Sequence, residues 1–142
     1  ASSRAGFATG GQMESLIFDT TFLIDFQRER KRGADRAHRF IEQNAEAYAY
    51  LPIVAYGEYA EGFESLSDPA FVSVVESYEI LDINRGVAEA YAALARALRQ
   101  QGQLIGANDL WIAATAVYHE SPLVSRNLEH FSRVPGIRLA AY

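Results

Sequence analysis

The stretch Leu16–Phe26, LIFDTTFLIDF, decides the fold. Its first three residues form an apolar run of the length and type of a buried strand, and Asp19 stands at its end. Carrying a carboxylate into a buried strand end costs on the order of several kcal/mol of desolvation unless something offsets it. Either burial stops at Asp19, or Asp19 has a cationic partner. Beyond it the period changes. Phe22, Leu23 and Phe26 fit a helix with Thr20 or Thr21 as candidate caps, running until Gly33.

The alternation continues along the chain. Gly33-Ala34-Asp35 starts a second helix with Ala37, Phe40, Ile41 and Ala45 at helical spacing. Tyr48–Leu51 reads as strand two, and Pro52 as the first turn of a helix carrying Val54, Ala55, Glu58, Gly62 and Phe63. Asp68-Pro69 opens another helix, and YEILDI (Tyr78–Ile83) is strand three. Val87, Tyr91, Leu94, Ala95 and Leu98 form the stripe of a helix that Gly102 ends. Asn108 is the expected cap of a helix from Asp109 to about His119, and Pro122–Ser125 is strand four. A helical turn at Leu128–Phe131 and a last strand at Ile137–Ala140 complete the reading.

Strands separated by helices imply an α/β sandwich around a parallel sheet of four to five strands. Ligands of such sheets bind beyond the carboxyl ends of the strands. Asp19 closes strand one, Asn127 follows strand four by two residues, and Asp109 opens the helix leading into strand four.

Composition bounds what such a site serves. The 142 residues, 49% apolar and 22% charged, suit one globular domain with a substantial core. A net charge of −5 argues against a globally basic nucleic-acid binder. Six of the thirteen basic residues nevertheless fall between Arg28 and Arg39, so a local basic patch stays open. The absence of cysteine excludes disulfides, thiolate metal sites and cysteine catalysis, and suits a reducing cytoplasm. The longest apolar stretch, Leu110–Tyr118, is too short to span a bilayer. Residues 1–12, ASSRAGFATGGQ, are small, polar and glycine-rich and lack the apolar core of a signal peptide. They are read as a vector-derived or leader segment, apart from a single domain over residues 13–142.

Three carboxylates sit among apolar neighbours: Asp19, Glu58 and Asp109. On a helix, Glu58 shares a face with Ala55 and Gly62, and Asp109 with Ile112, Ala113 and Ala116. Each has a plain reading: a helix cap for Asp19, a solvated position for Glu58, the positive end of a helix for Asp109 and a turn for Asn127. Together they say more, because crowded carboxylates repel and raise one another's pKa unless a cation neutralises them. Lys31, the one lysine, lies in a charged run, and His38, His119 and His130 lack zinc-ligand spacing. A carboxylate-only set favours Mg²⁺ or Mn²⁺, which suits phosphodiester chemistry.

The segments LIFDTTFLIDF, Glu58 with Gly62, and ANDLWIAATAVYHESPLVSRNLEHF resemble, in order and spacing, the signature of PIN-domain ribonucleases. The most similar subgroup is the VapC-type toxins of toxin–antitoxin pairs. The resemblance implies a three-layer α/β/α sandwich in which Asp19, Glu58 and Asp109 bind metal. Asn127 takes the place where many members carry a fourth acid, which leaves its contact with metal and a second ion open. Thr20, Thr21 and Ser125 match supporting hydroxyl positions, Arg126 is a candidate RNA contact, and Asp25 is left to the helix. The implied activity is Mg²⁺-dependent endoribonuclease chemistry, with a metal-activated water attacking the phosphate in line. The implied partners are a tRNA, rRNA or mRNA substrate, a neutralising antitoxin and a second copy in a homodimer. Two alternatives stay open: a PIN-like binding or assembly module with little activity, and an RNA-processing nuclease without an antitoxin. A receiver domain would need a lysine near a late strand end, and a haloacid-dehalogenase phosphatase would need an acid where Thr21 stands.

Overall fold

The computed structural model describes residues 14–142, so the reading of residues 1–12 lies outside the described residues. Five strands and seven helices alternate along them: β1 (Ser15–Phe18), α1 (Thr20–Arg32), α2 (Arg36–Gln43), β2 (Tyr48–Pro52), α3 (Ile53–Glu61) and α4 (Pro69–Val75). There follow β3 (Glu79–Leu81), α5 (Arg85–Gln100), α6 (Ala107–His119), β4 (Leu123–Val124), α7 (Leu128–Phe131) and β5 (Leu139–Ala140).

The strands form one parallel sheet in the order β3-β2-β1-β4-β5. The chain therefore builds outward from β1 to β3, returns, and builds outward on the other side through β4 and β5. Right-handed crossovers run in opposite directions across the sheet place helices on both faces, giving the expected three-layer α/β/α sandwich. The order reverses between β1 and β4, the position where open parallel sheets present their binding crevice.

As the central strand, β1 is buried on all four residues, which is why LIF reads as a continuous apolar run. Ile17 sits between Tyr50 of β2 and Leu123 of β4. Phe18 and Phe22 meet at 4.8 Å between ring centres, and Phe22 meets Tyr142 at the same distance, so α1 and the end of the chain share one aromatic cluster. On α6, Ala113, Ala114 and Ala116 are buried, and these small side chains allow the helix to pack closely. Among the described residues no helix is long and apolar enough to cross a membrane.

Several local expectations need correction. The cap of α1 is Asp19 itself, whose Oδ1 accepts the Thr20 N–H at 2.7 Å; Thr20 and Thr21 lie inside the helix. Pro52 ends β2 in extended conformation (φ −58°, ψ 142°) instead of entering α3, since a proline fixes only φ and leaves ψ free. The helix carrying Asp109 begins at Ala107 after a Gly106 cap, so Asn108 sits in the first turn with its side chain free to bond elsewhere. The helix after Gly33 stops at Gln43, leaving Ala45 outside it, and β3, β4 and β5 are shorter than their apolar runs. Gly33 ends α1 at φ 74°, the left-handed conformation that glycine adopts without strain.

The start of α2 is capped from a distance. Asp35 makes no side-chain cap bond and pairs instead with Arg39 at 2.7 Å. The buried Glu29 of α1 takes its place, accepting the Ala37 N–H at 2.7 Å and the His38 N–H at 3.0 Å, with His38 Nδ1 at 2.9 Å. Burial alone would raise the Glu29 pKa, but these contacts outweigh it and hold it below the ordinary value of 4.5. A depressed carboxylate stabilises the fold above its unfolded pKa, and that contribution is lost as the pH falls through the folded value. Glu29→Ala, which strands two N–H groups, is expected to cost about 1–3 kcal/mol at neutral pH. In urea unfolding, the difference from the parent chain should shrink as the pH is lowered below 4.5; a pH-independent difference would refute the assignment.

Candidate active site

The carboxyl end of β1 delivers Asp19 to the gap between β1 and β4. Its main-chain N–H donates to the Val124 carbonyl at 3.0 Å, which continues the β1–β4 pairing by one residue. That pairing sets Ser125 directly beside it, and Ser125 Oγ donates to Asp19 Oδ2 at 2.7 Å. Thr21 Oγ1 donates to the same oxygen at 3.0 Å. The carboxylate is thus almost wholly buried, at 3% exposure, yet receives two hydroxyls and one amide.

These donors do not fully compensate it. Burial raises the Asp19 pKa above the usual 3.8, the three hydrogen bonds pull it down, and the nearby charge of Asp109 raises it again. The net direction is upward. Ionising Asp19 therefore comes at some cost to the fold.

Glu58 reaches the same edge from α3. Thr20 Oγ1 donates to its Oε1 at 2.6 Å, and Asn108 Nδ2 donates to its Oε2 at 3.0 Å. Asp109, in the first turn of α6, has His130 Nε2 of α7 at 2.9 Å from its Oδ2. Consecutive residues of α1 thereby serve two acids: Thr20 touches both, by its N–H to Asp19 and its hydroxyl to Glu58.

The expected residues are not equally placed. Asp19, Thr20, Thr21, Glu58 and Ser125 form one hydrogen-bonded network. Asp109 joins it through the charge it exerts on Asp19. Asn127 enters by its main chain, whose N–H donates to Ser125 Oγ at 2.9 Å; its side chain makes no hydrogen bond among the described residues. Arg126 does not touch the acids. Its guanidinium pairs with Asp25 at 2.6 Å, and its N–H lies 3.5 Å from Thr21 Oγ1. Asp25 also accepts the Tyr142 hydroxyl at 2.6 Å, so it does more than complete a helix.

Two contributors escape a reading by sequence. Asn108 looks like a cap but orients Glu58, and the one signal for it is adjacency to Asp109. His130 lies 21 positions from Asp109 and has no ligand spacing to any other histidine, so only the fold reveals the pair.

The donor set fits a hard divalent cation in kind, being oxygen-rich, acidic and free of sulfur. No group of three acids or histidines among the described residues stands close enough to form a ready-made cluster. In this arrangement Thr20 and Asn108 occupy the oxygens of Glu58, and His130 occupies one of Asp109.

This parallel α/β sandwich, with acids from β1, α3 and α6 at its switch point, matches the family described as PIN domain over residues 16–137. Ribonuclease VapC2 of Haemophilus influenzae is 38% identical over 130 residues, covering 89% of this chain and 96% of its own. Ribonuclease VapC1 of Methanocaldococcus jannaschii is 28% identical over 128 residues, covering 89% and 86%. Among solved structures, DNA-bound VapBC from Salmonella typhimurium superposes with a TM-score of 0.76 at 25% identity, covering 91% of this chain and 98% of that one. The chain belongs to the PIN-domain family, in its VapC ribonuclease branch.

A carboxylate whose pKa is raised by folding stabilises the fold below its unfolded pKa and ceases to as the pH rises through the folded value. In chelator-treated protein, Asp19→Asn is therefore expected to raise the melting temperature at neutral pH. The gain should fall away as the pH drops through the raised folded value, where the native carboxyl takes up its own proton, and be gone below the ordinary 3.8. Thermal unfolding followed by circular dichroism across that range checks it, and a gain that does not vary with pH would contradict the assignment.

Proposed function

We propose that this chain is a metal-dependent endoribonuclease acting as the toxin of a toxin–antitoxin pair in the cytoplasm. The observation that carries the reading is Asp19: a buried carboxyl group met by three hydrogen-bond donors, at the switch point, beside the charge of a second acid. Such a group is poised for a cation. Family membership supplies the reaction class, and the names of the relatives, ribonuclease VapC, supply the substrate class.

In this reading Asp19, Glu58 and Asp109 would hold Mg²⁺ or Mn²⁺. When bound, the cation supplies Lewis acidity, lowering the pKa of a water and offsetting charge on the phosphate. The residues of the chain do the positioning. Ser125 and Thr21 fix one oxygen of Asp19, Thr20 and Asn108 fix the two oxygens of Glu58, and His130 fixes Asp109. Asn127 acts through Ser125, whose hydroxyl it steadies from the main chain. Arg126, exposed on the loop leaving β4, would meet RNA at the rim.

The partner follows from the relatives solved as VapBC complexes. For an antitoxin, the chain offers an apolar cleft of about 380 Å³ whose lining includes Phe26, Ile41, Val74 and Tyr78. A homodimer of the toxin is part of the same reading.

The purified chain is expected to cleave single-stranded RNA with Mg²⁺ and to stop when EDTA is added. Asp19→Asn and Asp109→Asn should abolish cleavage, while Thr20→Val and Asn108→Ala, which disturb only the support of Glu58, should lower it by about 10- to 100-fold. Gel analysis of end-labelled RNA reads all four variants. Cleavage that survives the chelator, or persists in both aspartate variants, would remove the metal mechanism and favour a binding module or a contaminating nuclease.

A further inference from the structure

The basic run between Arg28 and Arg39 is unexplained by the acidic site, and the fold gives part of it a definite place. A cleft of about 190 Å³, lined by Arg28, Arg32, Arg36 and Arg126, is linked to the acid centre through Arg126, whose N–H lies 3.5 Å from Thr21 Oγ1. Its two carboxylates, Asp25 and Glu29, are already committed. Asp25 takes the Arg126 guanidinium and the Tyr142 hydroxyl, and Glu29 is buried under the N–H groups of Ala37 and His38. Arg36 donates to the main-chain oxygen of Tyr142 at 2.8 Å. Arg28 and Arg32 are exposed and have no acidic partner among the described residues. In a chain of net charge −5, the cleft carries a local surplus of positive charge.

Its direction is as informative as its charge. Thr21, Asp25, Arg28 and Arg32 stand at positions i, i+4, i+7 and i+11 of α1, one stripe on one helix face. Thr21 touches Asp19 at one end of that stripe. At 1.5 Å per residue, Arg28 lies about 14 Å and Arg32 about 20 Å along the helix from Asp19. Asp25 holds Arg126 where the stripe leaves the acid centre. Guanidinium forks match phosphate oxygens in pairs, and a row of them tracks a sugar–phosphate backbone without reading its bases.

We propose that this cleft is a backbone-phosphate subsite for single-stranded RNA, in which Arg126, Arg28 and Arg32 bind successive phosphates flanking the linkage that is cut. The proposal rests on the nuclease reading above. Helix α1 then serves twice, its amino end presenting an acid of the reaction and its carboxyl half holding the strand that leads away from it.

Binding can be separated from cutting. With the cation chelated by EDTA, anisotropy of a labelled mixed-sequence oligoribonucleotide is measured over a salt series. Arg28→Ala/Arg32→Ala should weaken binding and lower the slope of log Kd against log salt by about 1.4, which is roughly 0.7 for each single-strand phosphate no longer neutralised. The exposed pair Arg96→Ala/Arg99→Ala on α5 removes the same charge and should leave the slope unchanged. Unchanged affinity and slope in the first variant, or an equal fall in both, would overturn the subsite. A labelled oligoglutamate peptide is the second probe. If it binds through Arg28 and Arg32 while RNA does not, the cleft docks an acidic protein segment and the RNA assignment falls.

The nuclease reading fails separately. RNA bound through the cleft but never cut with Mg²⁺ present leaves the subsite standing. RNA cut with unaltered KM in the Arg28→Ala/Arg32→Ala chain removes the subsite and leaves the nuclease.

Discussion

The 2.7 Å hydrogen bond from Ser125 to Asp19 is the constraint on which the rest of this structure depends. It exists because β1 and β4, distant in sequence, pair side by side with Ile17 opposite Leu123 and Phe18 opposite Val124. The next residue on each strand is polar, and the two polar residues meet. A buried carboxylate is tolerated only where donors reach it, and here each donor is delivered by the topology: one hydroxyl from the neighbouring strand, one hydroxyl and one amide from the first turn of α1. The apolar sheet and the acidic edge are therefore one construction. Ile17 and Phe18 bury the strand that carries Asp19, and the β1–β4 junction supplies the hydroxyl that makes Asp19 bearable.

The other two acids are managed differently. Glu58 and Asp109 lie on helices packed against each other, and the α3–α6 contact lets Asn108, one residue before Asp109, serve Glu58 across the interface. Glu58 is thus steadied from both sides by residues adjacent to another acid. Thr20 follows Asp19 and holds Glu58; Asn108 precedes Asp109 and holds Glu58. Such cross-bracing limits how far any one carboxylate can move alone, which is what a site of fixed geometry requires.

Much of this is legible in the sequence, for identifiable reasons. The central strand announces itself because burial on both faces demands an unbroken apolar run, and LIF ends at a charge only where the strand ends. Asp109 is legible because its face of α6 continues through the buried Ile112, Ala113 and Ala116. Helix ends marked by Gly33 and by Asp68-Pro69 fall where the residues put them. Long-range partnerships are not legible. Glu29 caps a helix eight residues away, His130 meets Asp109 across 21, and Asp25 meets Tyr142 across 117. No local period encodes such pairs. They depend on how helices settle against one another, and the role of Asn108 is hidden in the same way, since a cap and a cross-interface donor require the same side chain.

All strands of a parallel sheet point the same way, and this has a practical bearing on handling the protein. Ser15 enters the sheet at the edge opposite Asp19, whereas β5 leaves it at the edge that carries the acids. Tyr142 then folds back onto Asp25 and Arg36, beside the arginine cleft. An affinity handle, dye or surface tether whose chain enters the sheet at Ser15 does so at the edge away from the acids. One joined after Tyr142 emerges next to the reactive edge and competes for the space an incoming strand would occupy.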